Sequence, residues 1–417
     1  MRYVADLHTH SRYARATGST LTFENLAAWA TIKGLDLLAS ADFTHPVWRA
    51  ETQAKLRPVA GDLYQHGETR FVLGTEVSCA YRDRHGGHQI HMLLFAPDLE
   101  TVDRLSAELE RYGNLEEDGR PTLRLAADDL VGLALGVNPR CFLIPAHIWT
   151  PWFSVYGSRS GYDSIRDCFP QHWGDIWAVE TGLSSDPAMN WRIPELDDRT
   201  LVSFSDAHSL ARLGREATVF EGELSYEGLQ SALRQGQVAY TIEFYPEEGR
   251  YHYTGHREHG VRYSPAETAR LGTTCPVCRR KLTVGVMDRV ERLAQRPDAS
   301  FRDEDGLIKH RDRPQRPPYR LLVPLQEILA EALGVSAQSK RVQSTYDGII
   351  ARFGSELAAL QEAAIADIAE VAGDRVAEGV ERVRHGRIQV EPGYDGLYGV
   401  VRIWPKGNQT AIQGRLL

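Results

Sequence analysis

Two histidines two residues apart, His8 and His10 in ADLHTHS, close the first apolar run of the chain. A strand's period of two puts both imidazoles on one face. With 15 histidines in the sequence, a single H-x-H arises readily by chance, and the ordinary histidine is a hydrogen-bonded surface or core residue. Recurrence is what gives the pattern weight. Asp42 closes LDLLASAD with His45 three residues on, Glu76 follows FVLGT, His91 lies within HQIHMLLF, His147 ends FLIPA, and Asp206 and His208 end LVSFS. Each polar group closes or interrupts an apolar strand, so a closed or strongly curved sheet would bring them to one rim. Buried charges and imidazoles are costly there unless a metal coordinates them. Five or six imidazoles with three carboxylates suit two or three divalent ions, and the imidazoles favour zinc, manganese or iron.

A second constellation is of another kind. TGHREHG and TCPVCRR form H-x2-H and C-x2-C separated by fifteen residues. Two such knuckles suit one tetrahedral structural zinc held by His256, His259, Cys275 and Cys278. A redox role for the C-x-x-C would need a surrounding βαβ pattern, and none is present. The cysteines number five and are otherwise scattered, which fits reduced thiols rather than a disulfide framework.

A third stretch, IPAHIWTPWFSVYGSRSGYDS, places Trp149, Trp152, Phe153 and Tyr156 directly after His147 in a Gly/Ser/Pro-rich segment without helical or strand period. A small satellite core under a long loop is one reading of it. Arg12, Arg15 and Arg159 sit in similar surroundings, where they are either solvated surface residues or holders of backbone phosphates.

The elements that must position these groups follow from the rest of the chain. Its 417 residues are enough for two or three domains with a sizeable core. From residue 1 to about 245, short apolar runs alternate with helix-like segments such as TFENLAAWATIKG, which has a Thr22 start and a Gly34 stop. This reads as α/β, a barrel or distorted barrel with functional groups at strand ends. Residues 246–295 form a small unit framed by the paired His and Cys. The charged, Pro-rich stretch from Arg302 to Arg320 reads as a linker or loop, and residues from Leu321 onward, within a last segment of 296–417, as mostly helical. There LAALQEAAIADIAEVAGDRVAEGVERVR carries a short turn, either a helix-hairpin-helix whose amides hold a DNA phosphate or an αα-hairpin with Gly373 as C-cap. A net charge of -8 excludes a protein that coats nucleic acid non-specifically. The N-terminus lacks a signal-peptide pattern and no apolar run reaches bilayer length, so a cytoplasmic protein without a membrane partner is expected.

The order D-x-H-x-H, Asp and His, Glu, His, AH, SDAH resembles the polymerase and histidinol phosphatase (PHP) superfamily. The resemblance implies a PHP-type distorted (β/α)7 barrel with a trinuclear metal centre that hydrolyses phosphate esters. By position it makes His8, His10, Glu76, His91, His147, Asp206 and His208 metal ligands. The second motif, ADFTH, departs from the usual adjacent Asp-His and leaves the choice between Asp42 and His45 open. Asp6 and Glu180 are either carboxylates that orient an imidazole or plain strand-end residues.

HTHSRYARATG, PAHIWTPWFSVYGSRSGYDSI, ETGLSSDPAMNWR and SDAHSLARLGREA, with YHYTGH, CPVC and LLVPLQEILAEALG further on, narrow the resemblance to the endonuclease Q family over nearly the whole chain. It implies a DNA repair endonuclease that cuts on the 5′ side of deaminated bases (uracil, hypoxanthine, xanthine) and of abasic sites, with Asp206, Glu76, His8 and His10 at the heart of multinuclear metal catalysis. Zinc is implied in the structural and catalytic sites, with magnesium or manganese also suited to the latter, and the His pair departs from the family's usual four cysteines. A flipped base needs flat surfaces to stack on, which gives the aromatic loop its second reading. Two alternatives stay open: a PHP phosphoesterase acting on small phosphate esters, and a non-catalytic DNA-binding PHP module. GNQTAIQGRLL shows no aromatic-ended sliding-clamp peptide.

Overall fold

A computed structural model describes residues 1–405 of the chain; the GNQTAIQGRLL segment lies outside them. Seven strands line the barrel: β1 (Arg2–Asp6), β2 (Leu37–Ala39), β3 (Thr69–Asp83), β4 (Gly86–Ala96), β5 (Phe142–Pro145), β6 (Ala178–Glu180) and β7 (Thr200–Val202). β1, β2 and β3 pair in parallel, and β6 and β7 do the same. β4 runs against both of its neighbours. The Ile148 amide donates to the Glu180 carbonyl and bridges β5 to β6, while a parallel bridge between Thr9 and Ala207 brings the end of β7 back to β1. The fold is thus the distorted seven-stranded barrel that the family resemblance implies.

Local signals set the flanking helices. Thr22 caps the helix Phe23–Lys33 by accepting from the Asn25 amide, and Gly34 ends it in the left-handed region at φ 87°. Phe23 and Leu26 face inward and stay fully buried. Phe23 stacks on Trp48 with ring centroids 4.3 Å apart. Strand Ala217–Glu221 pairs with the outer edge of β1 and carries the sheet on to Val238–Glu243.

The charged, Pro-rich stretch read as a linker is part of this sheet instead. Strands Ser300–Arg302, Ile308–His310 and Tyr319–Leu321 extend it, the last in parallel with Val238–Glu243. Three-residue strands are too short to display a period, and Ile308, Tyr319 and Leu321 are the buried anchors between the charges. Arg296 and Arg313 fasten the region by donating to the Asp197 carboxylate at 2.7 Å each.

Five helices follow, from Leu325–Leu333 to Asp374–Arg384. The last two meet at Gly373, which is at φ 89° and serves both as C-cap of one helix and N-cap of the next. Lys33 of the barrel reaches Glu356 at 2.5 Å, both buried, and Glu356 also accepts from the Tyr346 hydroxyl at 2.6 Å. A hairpin, Gln389–Glu391 with Val400–Arg402, then returns the chain to the His/Cys unit through a bridge between Tyr394 and Tyr253. Among the described residues no helix is long and apolar enough to cross a membrane, and all five cysteines are free thiols.

Candidate metal centre

Glu76, near the middle of the long strand β3, is 1% exposed and holds the centre together. Its Oε2 faces His8 Nε2 at 3.3 Å and His10 Nε2 at 3.2 Å. Its Oε1 faces His91 Nδ1 at 2.6 Å and His147 Nε2 at 3.2 Å. Asp206 Oδ1 approaches His10 Nε2 at 3.0 Å and His8 Nε2 at 3.5 Å. The donors therefore form two groups, His8/His10/Glu76/Asp206 and Glu76/His91/His147, each with its atoms within 4.8 Å of one another and with the carboxylate in common. The reversal of β4 explains why His91 lies mid-strand: it sits opposite Ser78 in the register, two residues beyond Glu76, and so reaches the same rim.

Sharp backbone turns aim the other donors inward. Asp42, His147 and Asp206 all adopt positive φ, at 33°, 32° and 46°, which costs of order 1 to 3 kcal/mol each and persists where the surroundings impose it. Gly182 makes room for His147: a Cβ there would lie 2.4 Å from the histidine's own Cβ.

Buried carboxylates orient the imidazoles. His8 Nδ1 donates to Glu180 Oε1 at 2.9 Å, and Glu180 Oε2 accepts the His147 amide at 2.6 Å. His10 Nδ1 donates to Asp42 Oδ1 at 3.1 Å, while Asp42 Oδ2 accepts from the Ser11 amide at 2.6 Å. Both arrangements leave Nε2 pointing into the centre, as metal-ligating histidines require. Asp6 takes another part, accepting the backbone amides of Ser205 and Gly214 at 2.9 Å each.

Electrostatics asks for a cation here. Burial opposes ionisation of Glu76, but His91, Arg120 and His8 hold it well below the ordinary carboxylate range. Burial likewise opposes ionisation of Asp206, which His8 and His10 keep strongly acidic. His8 and His10 are raised well above an ordinary imidazole, burial being outweighed by Glu180 and Glu76 for the one and chiefly by Asp42 for the other. His91 is pushed by burial down to about 4. His8 Nε2 is buried without a hydrogen-bond partner. The ionised carboxylates thus draw positive charge onto His8 and His10, and divalent metal ions would supply that charge in place of protons, leaving the imidazoles neutral as ligands.

Three residues from the sequence reading lie outside the two groups. Asp42 contacts His10 as described. His45 caps helix Pro46–Lys55 by accepting from the Trp48 amide, and stacks on Tyr13 at 4.4 Å. His208 donates from Nδ1 to the Asp206 carbonyl, its ring 4.6 Å from that of His10. Arg120, whose Nη1 reaches Glu76 Oε2 at 3.2 Å, is not among the residues singled out from the sequence. It follows Gly119, where a Cβ would lie 2.4 Å from Asp42 Oδ2, and no spacing pattern marks it.

The aromatic loop divides in two. Trp149 and Tyr156 are fully buried and stack on each other at 4.6 Å, Trp149 donating from Nε1 to Asn190 and Tyr156 from its hydroxyl to Glu195. These two belong to the core, which corrects their assignment as a stacking surface. Trp152 and Phe153 are 36% and 39% exposed. Phe153 stacks on His91 at 4.9 Å, and Trp152 meets Tyr251 edge-on at 5.0 Å. Beside them opens a cavity of about 200 Å³ lined also by Thr150, Pro246 and His252. Arg159 lies over Trp152 at 5.9 Å, whereas Arg12 and Arg15 pair with Glu51 and Glu117, each at 2.7 Å.

In the small unit, His256 ends a strand, His259 follows in the turn that Gly260 closes at φ 64°, and Cys275 and Cys278 form a knuckle after helix Pro265–Leu271. His259 Nδ1 lies 3.7 Å from Cys275 Sγ and His256 Nδ1 3.6 Å from Cys278 Sγ. Tetrahedral zinc with its usual bond lengths sets nitrogen and sulfur about 3.5 Å apart, so this tetrad has the dimensions of a zinc site.

Comparisons with known proteins agree with this geometry. Residues 324–387 match the family model described as MJ0043 C-terminal domain. The chain is 33% identical over 312 residues to the uncharacterized protein MJ0043 of Methanocaldococcus jannaschii, covering 72% of this chain but only 36% of that relative. It is 28% identical to the uncharacterized protein YqxK of Bacillus subtilis, over 95% of this chain and 98% of that one. The crystal structure of the lesion-specific endonuclease PfuEndoQ from Pyrococcus furiosus superposes with a TM-score of 0.83 at 31% identity, covering 96% and 95% of the two chains. Endonuclease Q in complex with a 27-mer duplex bearing an abasic lesion at the active site gives 0.82 at 30% identity, with 97% of each chain covered. With a solved relative matched from end to end at this identity, the chain belongs to the endonuclease Q family.

Proposed function

We propose that this protein is a metal-dependent DNA repair endonuclease that hydrolyses the phosphodiester on the 5′ side of deaminated bases and abasic sites. The observation that carries the reading is the Glu76 carboxylate, whose Oε2 faces His8 and His10 and whose Oε1 faces His91 and His147. His8, His10 and Asp206 would hold one ion with Glu76, and His91 and His147 a second. Divalent ions so held would supply Lewis acidity, lowering the pKa of water so that hydroxide is available to attack a phosphate, and would offset charge on the phosphate oxygens.

The remaining work falls to the chain. Glu180 and Asp42 fix the rings of His8 and His10 from behind. Arg120, about a quarter exposed beside Glu76, is placed to hold a non-bridging phosphate oxygen. Phe153 over His91 and Thr150 beside His147 join the 200 Å³ cavity to the centre. That cavity would receive the extruded base, with Trp152 and Phe153 as apolar walls. Base loss or mispairing makes a nucleotide cheap to extrude, which favours lesions over paired bases.

The test is nicking of an end-labelled duplex carrying one deoxyinosine, deoxyuridine or abasic site, with zinc, manganese or magnesium supplied. The expected product is a single cut 5′ to the lesion with the damaged base retained. Equal cutting of undamaged duplex, or hydrolysis of small phosphate monoesters with no nicking, would overturn the reading.

A further inference from the structure

The two donor groups are supported in different ways. His8 and His10 turn Nδ1 toward Glu180 and Asp42, buried carboxylates of the barrel. His147, which would hold the second ion in the reading above on which this inference rests, turns Nδ1 toward a hydroxyl instead, Thr150 Oγ1 at 3.2 Å. Its Nε2 lies 3.2 Å from Glu76 Oε1 and must be bare to hold an ion. A neutral imidazole then carries its proton on Nδ1, which donates to Thr150. The hydroxyl has one proton of its own to give, and its nearer acceptor is the Trp152 carbonyl at 2.8 Å, against 3.3 Å for that of His147. The ring is therefore set by two hydrogen bonds in series, imidazole to hydroxyl to loop carbonyl. Glu180 holds the His147 backbone amide rather than its ring.

The same loop holds His91. The His91 amide donates to the Phe153 carbonyl at 2.9 Å, and its ring stacks on that of Phe153. Phe153 does this from the left-handed region, at φ 68°, a conformation that a bulky residue keeps only where its surroundings impose it. Two side chains fasten the loop: Ser160 Oγ accepts the Phe153 amide at 3.1 Å, and Ser154 Oγ donates to the Thr150 carbonyl at 2.5 Å. We infer that Thr150 is a positioning residue for the second ion, its hydroxyl tied to the Trp152 carbonyl so as to aim His147 Nε2 at the point shared with Glu76 and His91. Thr150, Trp152 and Phe153 also line the cavity assigned to the extruded base. One wall of that cavity is thus the outer support of the second ion, while the ion at His8 and His10 rests on barrel carboxylates.

Valine copies the shape of threonine without its hydroxyl, and serine keeps the hydroxyl. Manganese, which suits imidazole and carboxylate donors better than a thiolate pair, is titrated into wild type, Thr150→Val and Thr150→Ser after dialysis against a chelator. Bound ions are counted from the loss of the free-ion paramagnetic resonance signal. Thr150→Val is expected to weaken one bound manganese by about 10- to 100-fold, the scale of a residue that orients a ligand, and to leave the other binding and the thermal midpoint near wild type. Thr150→Ser is expected to bind as wild type does. On an inosine duplex, kcat of Thr150→Val should fall by a similar factor at limiting manganese and recover at high manganese, with KM within about twofold. Equal weakening of every bound ion would make Thr150 a structural residue, and unchanged binding in Thr150→Val would remove it from the site; either overturns the inference. If wild type binds manganese but cuts no lesion duplex, the endonuclease reading fails on its own, and the titration still decides the role of Thr150.

Discussion

The barrel centre and the His/Cys tetrad are both candidate metal sites, yet they stand in opposite relation to the structure around them. In the barrel, Glu76, His8 and His10 lie in an interior built from seven strands, with Glu180 and Asp42 locking the rings from behind. There the scaffold holds the ligands. Around the tetrad the buried cluster is Val261, Cys275 and Leu282, and His259 is exposed. Three side chains cannot offset the entropy of ordering some thirty residues, so there the ligands must hold the scaffold. Losing a donor should therefore cost activity in the first case and structure in the second.

The largest separation is expected from Glu76→Gln. Gln is isosteric but neutral and cannot serve both donor groups as a carboxylate. Nicking should fall by at least roughly a thousandfold, since the ligand's loss exceeds the 10- to 100-fold typical of its supporting residues. The thermal midpoint should stay within a few degrees of wild type. A Glu76→Gln protein that nicks normally would remove the shared carboxylate from the mechanism, and one that fails to fold would erase the contrast.

Cys275→Ser with Cys278→Ser reverses the pattern. Elemental analysis should find one zinc fewer per chain, and limited proteolysis should open the segment between His256 and Thr283. Structural zinc binding contributes roughly 10 kcal/mol or more of local folding free energy. Helix Val286–Leu293 should stay folded, because Arg289 is anchored on the barrel side, donating to the carbonyls of Tyr156 at 3.0 Å and Tyr162 at 2.7 Å. Unchanged zinc content in the double variant would show that the tetrad does not bind it.

Glu180→Gln probes the scaffold side at a smaller scale. The amide can still accept from His8 Nδ1 but no longer contributes a negative charge. A 10- to 100-fold loss of metal affinity or activity is expected, with partial rescue at high zinc. Loss as large as that of Glu76→Gln would make Glu180 a ligand in its own right.

These contrasts also mark how far the sequence could be read. Donors recur after apolar runs because strands end on one rim, so the barrel and the donors from His8 to Asp206 were legible, but their division into two groups about Glu76, with His45 and His208 outside both, was not. What spacing could not reveal was direction. Trp149 and Tyr156 look like Trp152 and Phe153 in the sequence, and the burying partners Asn190 and Glu195 lie some forty residues away. Arg120 was missed for the same reason, since it acquires its role from Glu76, distant in the chain. The Arg302–Arg320 stretch hid its strands because three residues carry no period.

The smallest effect concerns what lies beneath the barrel centre. Glu243 is fully buried, accepting from Thr241 Oγ1 at 2.5 Å, Thr181 Oγ1 at 3.2 Å and the Ser203 hydroxyl. Thr181 directly follows Glu180, and Ser203 precedes Asp206 by three residues. Burial pushes the Glu243 carboxyl up to about 8, and burial with the neighbouring Glu243 raises Glu216 well above its usual range. In the unfolded chain such groups ionise near 4.3. A raised folded-state pKa makes the contribution to stability complete below the unfolded value and lost as pH climbs through the folded one. The barrel should thus lose stability gradually between about pH 5 and pH 8, whereas the tetrad, whose ligands must be deprotonated to bind metal, should weaken in the opposite direction as pH falls. Glu243→Gln, a neutral isostere of the protonated acid, should change stability at pH 5 by no more than about 1 kcal/mol and flatten the alkaline limb. Thermal melts of both proteins from pH 5 to 9 check this. Parallel curves for the variant and wild type would mean that Glu243 is already ionised in the folded protein, and that the layer under the metal centre is charged rather than neutral.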